Sequence, residues 1–134
     1  METTIERDAQ CFCCGAKNER GLHLVFNHEG GRAETSLEVP EYFSGWSGIA
    51  HGGFLSMLLD EAMAHACLNS TDSAVTGEIT IRFAKPVRTG SRVRVTGKVE
   101  QVKGRVIATS GVVYDEEGNA AAEASARFVV VKSR

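Results

Sequence analysis

Residues 53–69 read GFLSMLLDEAMAHACLN, and this stretch decides the fold. Phe54, Leu55, Met57, Leu58, Leu59, Ala62, Met63, Ala66 and Cys67 fall around most of the circumference of a helix. A helix that is apolar nearly all round is covered on several sides rather than lying on a surface. Its polar members, Ser56, Asp60, Glu61 and His65, therefore stand out. Carboxylates are uncommon in such surroundings without a partner or a purpose.

Outward from that helix the pattern changes to alternation, the signature of half-buried strands. Upstream, Leu22, Leu24 and Phe26 alternate with His23, Val25 and Asn27. Glu29-Gly30-Gly31 is a turn signal, and Ala33, Thr35, Leu37 and Val39 complete a hairpin that Pro40 stops. Residues 41–53, EYFSGWSGIAHGG, form a loop rich in aromatics and glycine. Downstream of a turn at 69–74, strands are expected around Ile79–Phe83, around Val93–Val99, over 105–114 and over 120–131. The last carries Ala120, Ala122, Ala124, Ala126 and Phe128 on one face, small side chains that let a helix sit close. The order β-β-α-β-β-β-β predicts an α+β fold, with a strongly curved antiparallel sheet wrapped around one long central helix.

The length of 134 residues predicts one domain, 1–134, with residues 1–20 as a polar arm. A chain of this mass buries about two-thirds of its unfolded surface, enough for one core but little for a deep enclosed site. Hydrophobic residues at 43% and charged residues at 24% are ordinary globular values. No apolar run reaches the ~18 residues of a membrane span, and the polar start METTIERDAQ does not read as a leader. A cytoplasmic protein with no membrane partner is expected. The formal charge is −2, yet residues 82–105 hold eight basic side chains against the single acid Glu100. A basic zone on an acidic body fits a compact anionic ligand better than a nucleic acid. The plainer reading of Arg92, Arg94 and Lys98, which share strand parity, is a solvated face.

Cys11, Cys13 and Cys14 crowd together and Cys67 stands apart. Cys11 and Cys14 form a CxxC, followed by His23 and His28, but those histidines differ in strand parity and would point to opposite faces. A structural loop with reduced or buried thiols is the favoured reading, and no metal is expected.

His51-Gly52-Gly53 opens the apolar helix. Its first turn exposes backbone N–H groups at the positive end of the helix dipole, which can stabilise an oxyanion. Asp60 lies seven residues after Gly53, almost two whole turns on, so both share a face about 10.5 Å apart along the axis. A catalytic group must come within about 3 Å of the reacting atom. One helix cannot easily bring both to one carbonyl, whereas two antiparallel copies can, and the spacing argues for a two-fold dimer with shared sites.

The segment Ile49-Ala50-His51-Gly52-Gly53 followed by Leu58-Leu59-Asp60-Glu61-Ala62 resembles the active-site signature of hotdog-fold acyl-CoA thioesterases. The likeness is nearest to the branch that acts on phenylacetyl-CoA and 4-hydroxybenzoyl-CoA. Gly77–Phe83 with Lys85-Pro86-Val87 and Gly90, and the arm Cys11-Phe12-Cys13-Cys14-Gly15 leading to Gly21-Leu22, look similar too. The resemblance implies hydrolysis of an acyl-CoA to a free acid and CoA. It implies that Gly53 donates to the thioester carbonyl and that Asp60 of the partner subunit acts as base or nucleophile. It further implies that Thr76 helps place water and that His51 braces the loop. Gly52 and Glu61 are expected near substrate, and Lys85 and Arg88 near the CoA phosphates. CoA enters only as part of the substrate, with no separate cofactor. The expected assembly is a homo-oligomer with a dimer as minimal unit, dimer or tetramer being left open. The alternatives are a hotdog hydratase or dehydratase and an acyl-CoA-binding hotdog protein without turnover.

Overall fold

The computed structural model describes residues 4–133. Helix α1 (Gly52–Ala66) continues into a short 3-10 turn at Cys67–Asn69. Around it run β1 (Thr4–Ile5), β2 (Asn27–Glu29), β3 (Arg32–Glu38), β4 (Ala74–Phe83), β5 (Arg92–Lys103), β6 (Val106–Tyr114), β7 (Ala120–Val130) and β8 (Lys132–Ser133). Six of these form one antiparallel sheet in the order β2-β3-β5-β6-β7-β4, while β1 and β8 pair in parallel as a separate two-stranded sheet. One helix packed against one antiparallel sheet is the hotdog arrangement.

The expected apolar helix is buried through Phe54, Leu55, Leu58, Leu59, Ala62, Met63 and Ala66. Its seat differs from the expectation. The closest approach is over β5 and β6, where Gly97 and Gly111 are paired partners. A Cβ at Gly97 would overlap the Ala62 carbonyl, and one at Gly111 would lie 3.2 Å from Met63 and 3.3 Å from Leu59. Two missing side chains at the sheet centre thus set the helix height. Ala122, Ala124 and Ala126 of β7 are buried as well, beside Phe128.

The first expected strand is shorter than its alternation implied. Leu24 and Phe26 are buried and Val25 is 80% exposed, so the alternation holds. Pairing, however, starts only at Asn27. The preceding segment is committed to the arm: the Leu22 N–H donates to the Phe12 carbonyl and the Leu24 N–H to the Cys13 carbonyl, both at 2.8 Å. His23 between them has φ 53°, the left-handed region, which breaks a regular strand. The arm is therefore a built layer against the helix. Its outermost strand, β1, pairs with β8.

β4 lies at one edge of the six-stranded sheet and pairs only with β7 among the described residues. Within β4 the register shifts between Thr76 and Glu78. Gly77 is the extra residue, a bulge of the kind that re-aims a side chain. Thr76 consequently stands opposite Phe128, and Ile79 stands opposite Ala126, both partners being buried. Without the bulge, Thr76 would share the solvent face with Thr80 and Arg82.

Candidate active site

The loop before α1 is tied to the 84–91 segment. Ala50 N–H donates to the Val87 carbonyl at 2.7 Å, Thr89 N–H to the Gly48 carbonyl at 3.1 Å, and Ile49 forms a bridge with Arg88. The His51 N–H donates to the Phe43 carbonyl at 2.8 Å, and Phe43 stacks on Phe54 with centroids 4.3 Å apart. Tyr42 and Trp46 project outward, 78% and 85% exposed.

His51 is the helix N-cap. Its Nδ1 accepts the Gly53 N–H at 2.8 Å, and its carbonyl accepts from Phe54 and Leu55. A Cβ at Gly53 would come within 2.9 Å of that Nδ1, so the cap requires glycine there. The Gly53 N–H is thus engaged by the neighbouring imidazole. Gly52, Phe83 and Lys85 share a shallow pocket of about 260 Å³ at this helix end. Arg88 lies in the same buttressing loop, with its side chain exposed.

Two turns along the helix, the Thr76 hydroxyl donates to Asp60 Oδ1 at 2.6 Å. Ser56, one turn before Asp60, donates to the Gly52 carbonyl at 2.8 Å. Burial pushes the Asp60 carboxyl above its ordinary value, the Thr76 bond works against this, and the nearby Glu61 charge adds to the rise. Thr76, named only through the family resemblance, reaches Asp60 by way of the Gly77 bulge. A glycine inside a strand pattern was the available signal.

Glu61 is turned elsewhere. Its Oε1 lies 3.3 Å from His65 Nε2 and accepts from the Cys11 thiol at 3.6 Å. Burial alone would raise its pKa, but the bonds from His65 and Cys14 and the His65 charge outweigh it, so the net direction is down. The cysteines are free. His23 is not with them, since its Nε2 contacts the Asn18 carbonyl at 2.6 Å. His28 instead meets His65, Nε2 to Nδ1, at 3.0 Å. Two sets of potential metal-binding atoms arise here, Cys11, Cys13 and Glu61, and Cys14, Glu61 and His65.

Three of the eight basic residues in the segment 82–105 are paired on the solvent side of the sheet. Arg94 pairs with Glu34 at 2.8 Å and lies over the Tyr114 ring, Lys98 reaches Glu100 at 3.4 Å, and Arg82 reaches Glu123 at 3.9 Å. Lys85 and Arg88 have no carboxylate partner of this kind among the described residues.

The sequence profile of the thioesterase superfamily matches residues 47–122, from the loop before α1 into β7. The chain belongs to the thioesterase superfamily. It is 26% identical over 109 residues to acyl-coenzyme A thioesterase THEM4 of Xenopus laevis, covering 80% of this chain. It spans only 49% of the length of that relative. The hotdog fold is shared with the PaaI protein from the phenylacetic acid degradation operon of E. coli (TM-score 0.77, 21% identity, 84% of each chain). It is shared too with smu.793 of Streptococcus mutans bound to acetyl CoA (TM-score 0.77, 20% identity, 89% of this chain and 99% of that one). The superfamily match includes His51, Gly53, Asp60, Thr76, Lys85 and Arg88, whereas the cysteine arm lies outside it. Among the described residues, no helix is long and apolar enough to cross a membrane.

Proposed function

We propose that this superfamily member is an acyl-CoA thioesterase, adding water across a thioester to release a free carboxylic acid and CoA. The observation that carries the reading is the half-buried Asp60 held at 2.6 Å by Thr76 on a helix whose other end is His51-Gly52-Gly53. Burial lifts the Asp60 pKa towards working pH, which suits a proton acceptor. Asp60 takes a proton from water, and the water oxygen attacks the thioester carbon. The negative charge that develops on the carbonyl oxygen is met by N–H groups at a helix N-terminus. Collapse expels the CoA thiolate, a good leaving group. Thr76 keeps the carboxylate oriented.

Gly53 and Asp60 of one chain are two turns apart, so the complete site takes Gly53 from one subunit and Asp60 from another. The edge of β4, unpaired among the described residues, supports such an assembly. It is a ten-residue strand with Phe83 50% and Val75 37% exposed, and long free edges invite strand pairing. In the resting chain His51 Nδ1 occupies the Gly53 N–H, and an incoming carbonyl oxygen displaces it. Lys85, beside Gly52 in the helix-end pocket, and Arg88 are assigned to the CoA phosphates. The free thiols suit a reducing compartment, and the cytoplasm is the proposed location.

A panel of aliphatic and aromatic acyl-CoAs, followed with a thiol-reactive dye, tests the activity. Thiol release with at least one member is expected. Tight binding across the panel with no release would favour the second reading, an acyl-CoA binder whose Gly53 N–H stays with His51.

A further inference from the structure

We propose that Cys11, Cys14, Glu61 and His65 form a tetrahedral structural zinc site that staples the N-terminal arm to helix α1. Glu61 and His65 lie on the helix face that Asp60 does not use, Cys11 and Cys14 come from the arm, and all four help to line a groove of about 950 Å³. Cys14, Glu61 and His65 present ligand atoms within 4.8 Å of one another, and Cys11, which forms a second such set with Cys13 and Glu61, places its Sγ 3.6 Å from Glu61 Oε1. Bond lengths to zinc near 2.3 Å for sulfur and 2.0–2.2 Å for nitrogen or oxygen make the edges of a tetrahedral site about 3.6 Å for S···O and about 3.4 Å for N···O. The separations of Cys11 and His65 from the Glu61 oxygen, 3.6 Å and 3.3 Å, are already of that size.

The local backbone brings the thiols to this point. Gly15 closes the CxxC turn by donating to the Cys11 carbonyl at 2.8 Å, and a Cβ on Gly15 would strike the backbone of Cys11 and Ala9. His65 and Glu61 are one turn apart on α1, so their side chains converge from the opposite side.

The imidazole is oriented as a ligand. His65 stacks on Phe26 with centroids 4.0 Å apart, and its Nδ1 meets His28 Nε2 at 3.0 Å. Zinc-bound histidines usually donate their second ring N–H to such a partner. When Nδ1 carries the proton and donates to His28, Nε2 is free to share a cation with the Glu61 oxygen 3.3 Å away, in place of the hydrogen bond it gives that oxygen when the metal is absent. Two thiolates, one imidazole and one carboxylate favour zinc over hard cations. Binding releases the two thiol protons. Cys13 is 2% exposed and is assigned to packing.

The full chain, produced in zinc-containing medium and purified without chelator, is analysed by elemental mass spectrometry. About one zinc per chain is expected. Cys14→Ser and His65→Gln should each hold less than about a tenth of that. His23→Ala and Cys67→Ser should keep it. Because a lost staple can impair folding, reduced metal-free wild type is also titrated with cobalt(II). The expected result is a thiolate-to-cobalt charge-transfer band and intense visible bands of a tetrahedral site, both removed by zinc. Failure of the reduced wild type to take up either metal stoichiometrically overturns the site and leaves an ordinary His65–Glu61 pair. Full uptake by Cys14→Ser or His65→Gln overturns the ligand set, as does retention in Cys11→Ser with loss in Cys13→Ser. Metal content is independent of acyl-CoA turnover, so either reading can fail alone.

Discussion

Asp60 and Glu61 are consecutive carboxylates on one helix, and their surroundings push them in opposite directions. Asp60 faces β4, where burial outweighs one hydrogen bond from Thr76 and the carboxyl rises above its ordinary value. Burial also acts on Glu61, but His65 and the arm's thiols outweigh it and the net direction is down. A rotation of about 100° per residue is enough to separate a candidate base from a candidate metal ligand. Residue type and burial alone would rank the two alike, and it is the count of donors around each that tells them apart.

The strongest way to break this comparison is to remove one charge at a time. Asp60→Asn should lower turnover about a hundredfold or more, with the unfolding midpoint little changed, since a positioned proton acceptor contributes on that scale. If Glu61→Gln loses more turnover than Asp60→Asn, the assignment of the base is reversed. The second test moves the helix on which both carboxylates depend. Gly97→Ala places a methyl group on the Ala62 carbonyl and should cost about 2 kcal/mol or more in urea denaturation. A near-neutral result would mean that the helix seat is looser than described.

Smaller effects sharpen the Asp60 side. Thr76→Val removes the one side-chain donor to Asp60 among the described residues and should reduce kcat about tenfold, while Thr76→Ser retains most of it. Equal loss in both variants would assign Thr76 to packing. The smallest effect belongs to the exposed cations. Lys85→Ala should raise KM for an acyl-CoA about two- to fivefold, in line with the modest strength of exposed ion pairs, without affecting a short thioester that lacks the nucleotide. An equal rise for both substrates would remove Lys85 from the phosphate contacts.

The elements were legible where periodicity speaks for itself. Phe54 through Cys67 announced a buried helix, and the alternation of β5, β6 and β7 announced strands, because those patterns follow from where backbone geometry points each side chain. The His51–Asp60 spacing was legible for the same reason. Local pattern misled at Leu22–Phe26, where exposure alternates as in a strand but the backbone bonds go to the arm. It was silent at Thr76, whose parity assigns it to solvent until Gly77 inserts a residue into the ladder.

By itself, the sequence determined an apolar helix with two carboxylates, a glycine-opened helix start and a sheet to wrap it, since these are properties of consecutive residues. Only the tertiary structure decided what each polar side chain touches. His65 is distant in sequence from Cys11, Cys14 and His28, and no local periodicity relates them. Cys14 reaches His65 because the arm, bonded to Leu22 and Leu24 and paired through β1 with β8, lies over the helix, while β2 brings His28 to the same imidazole.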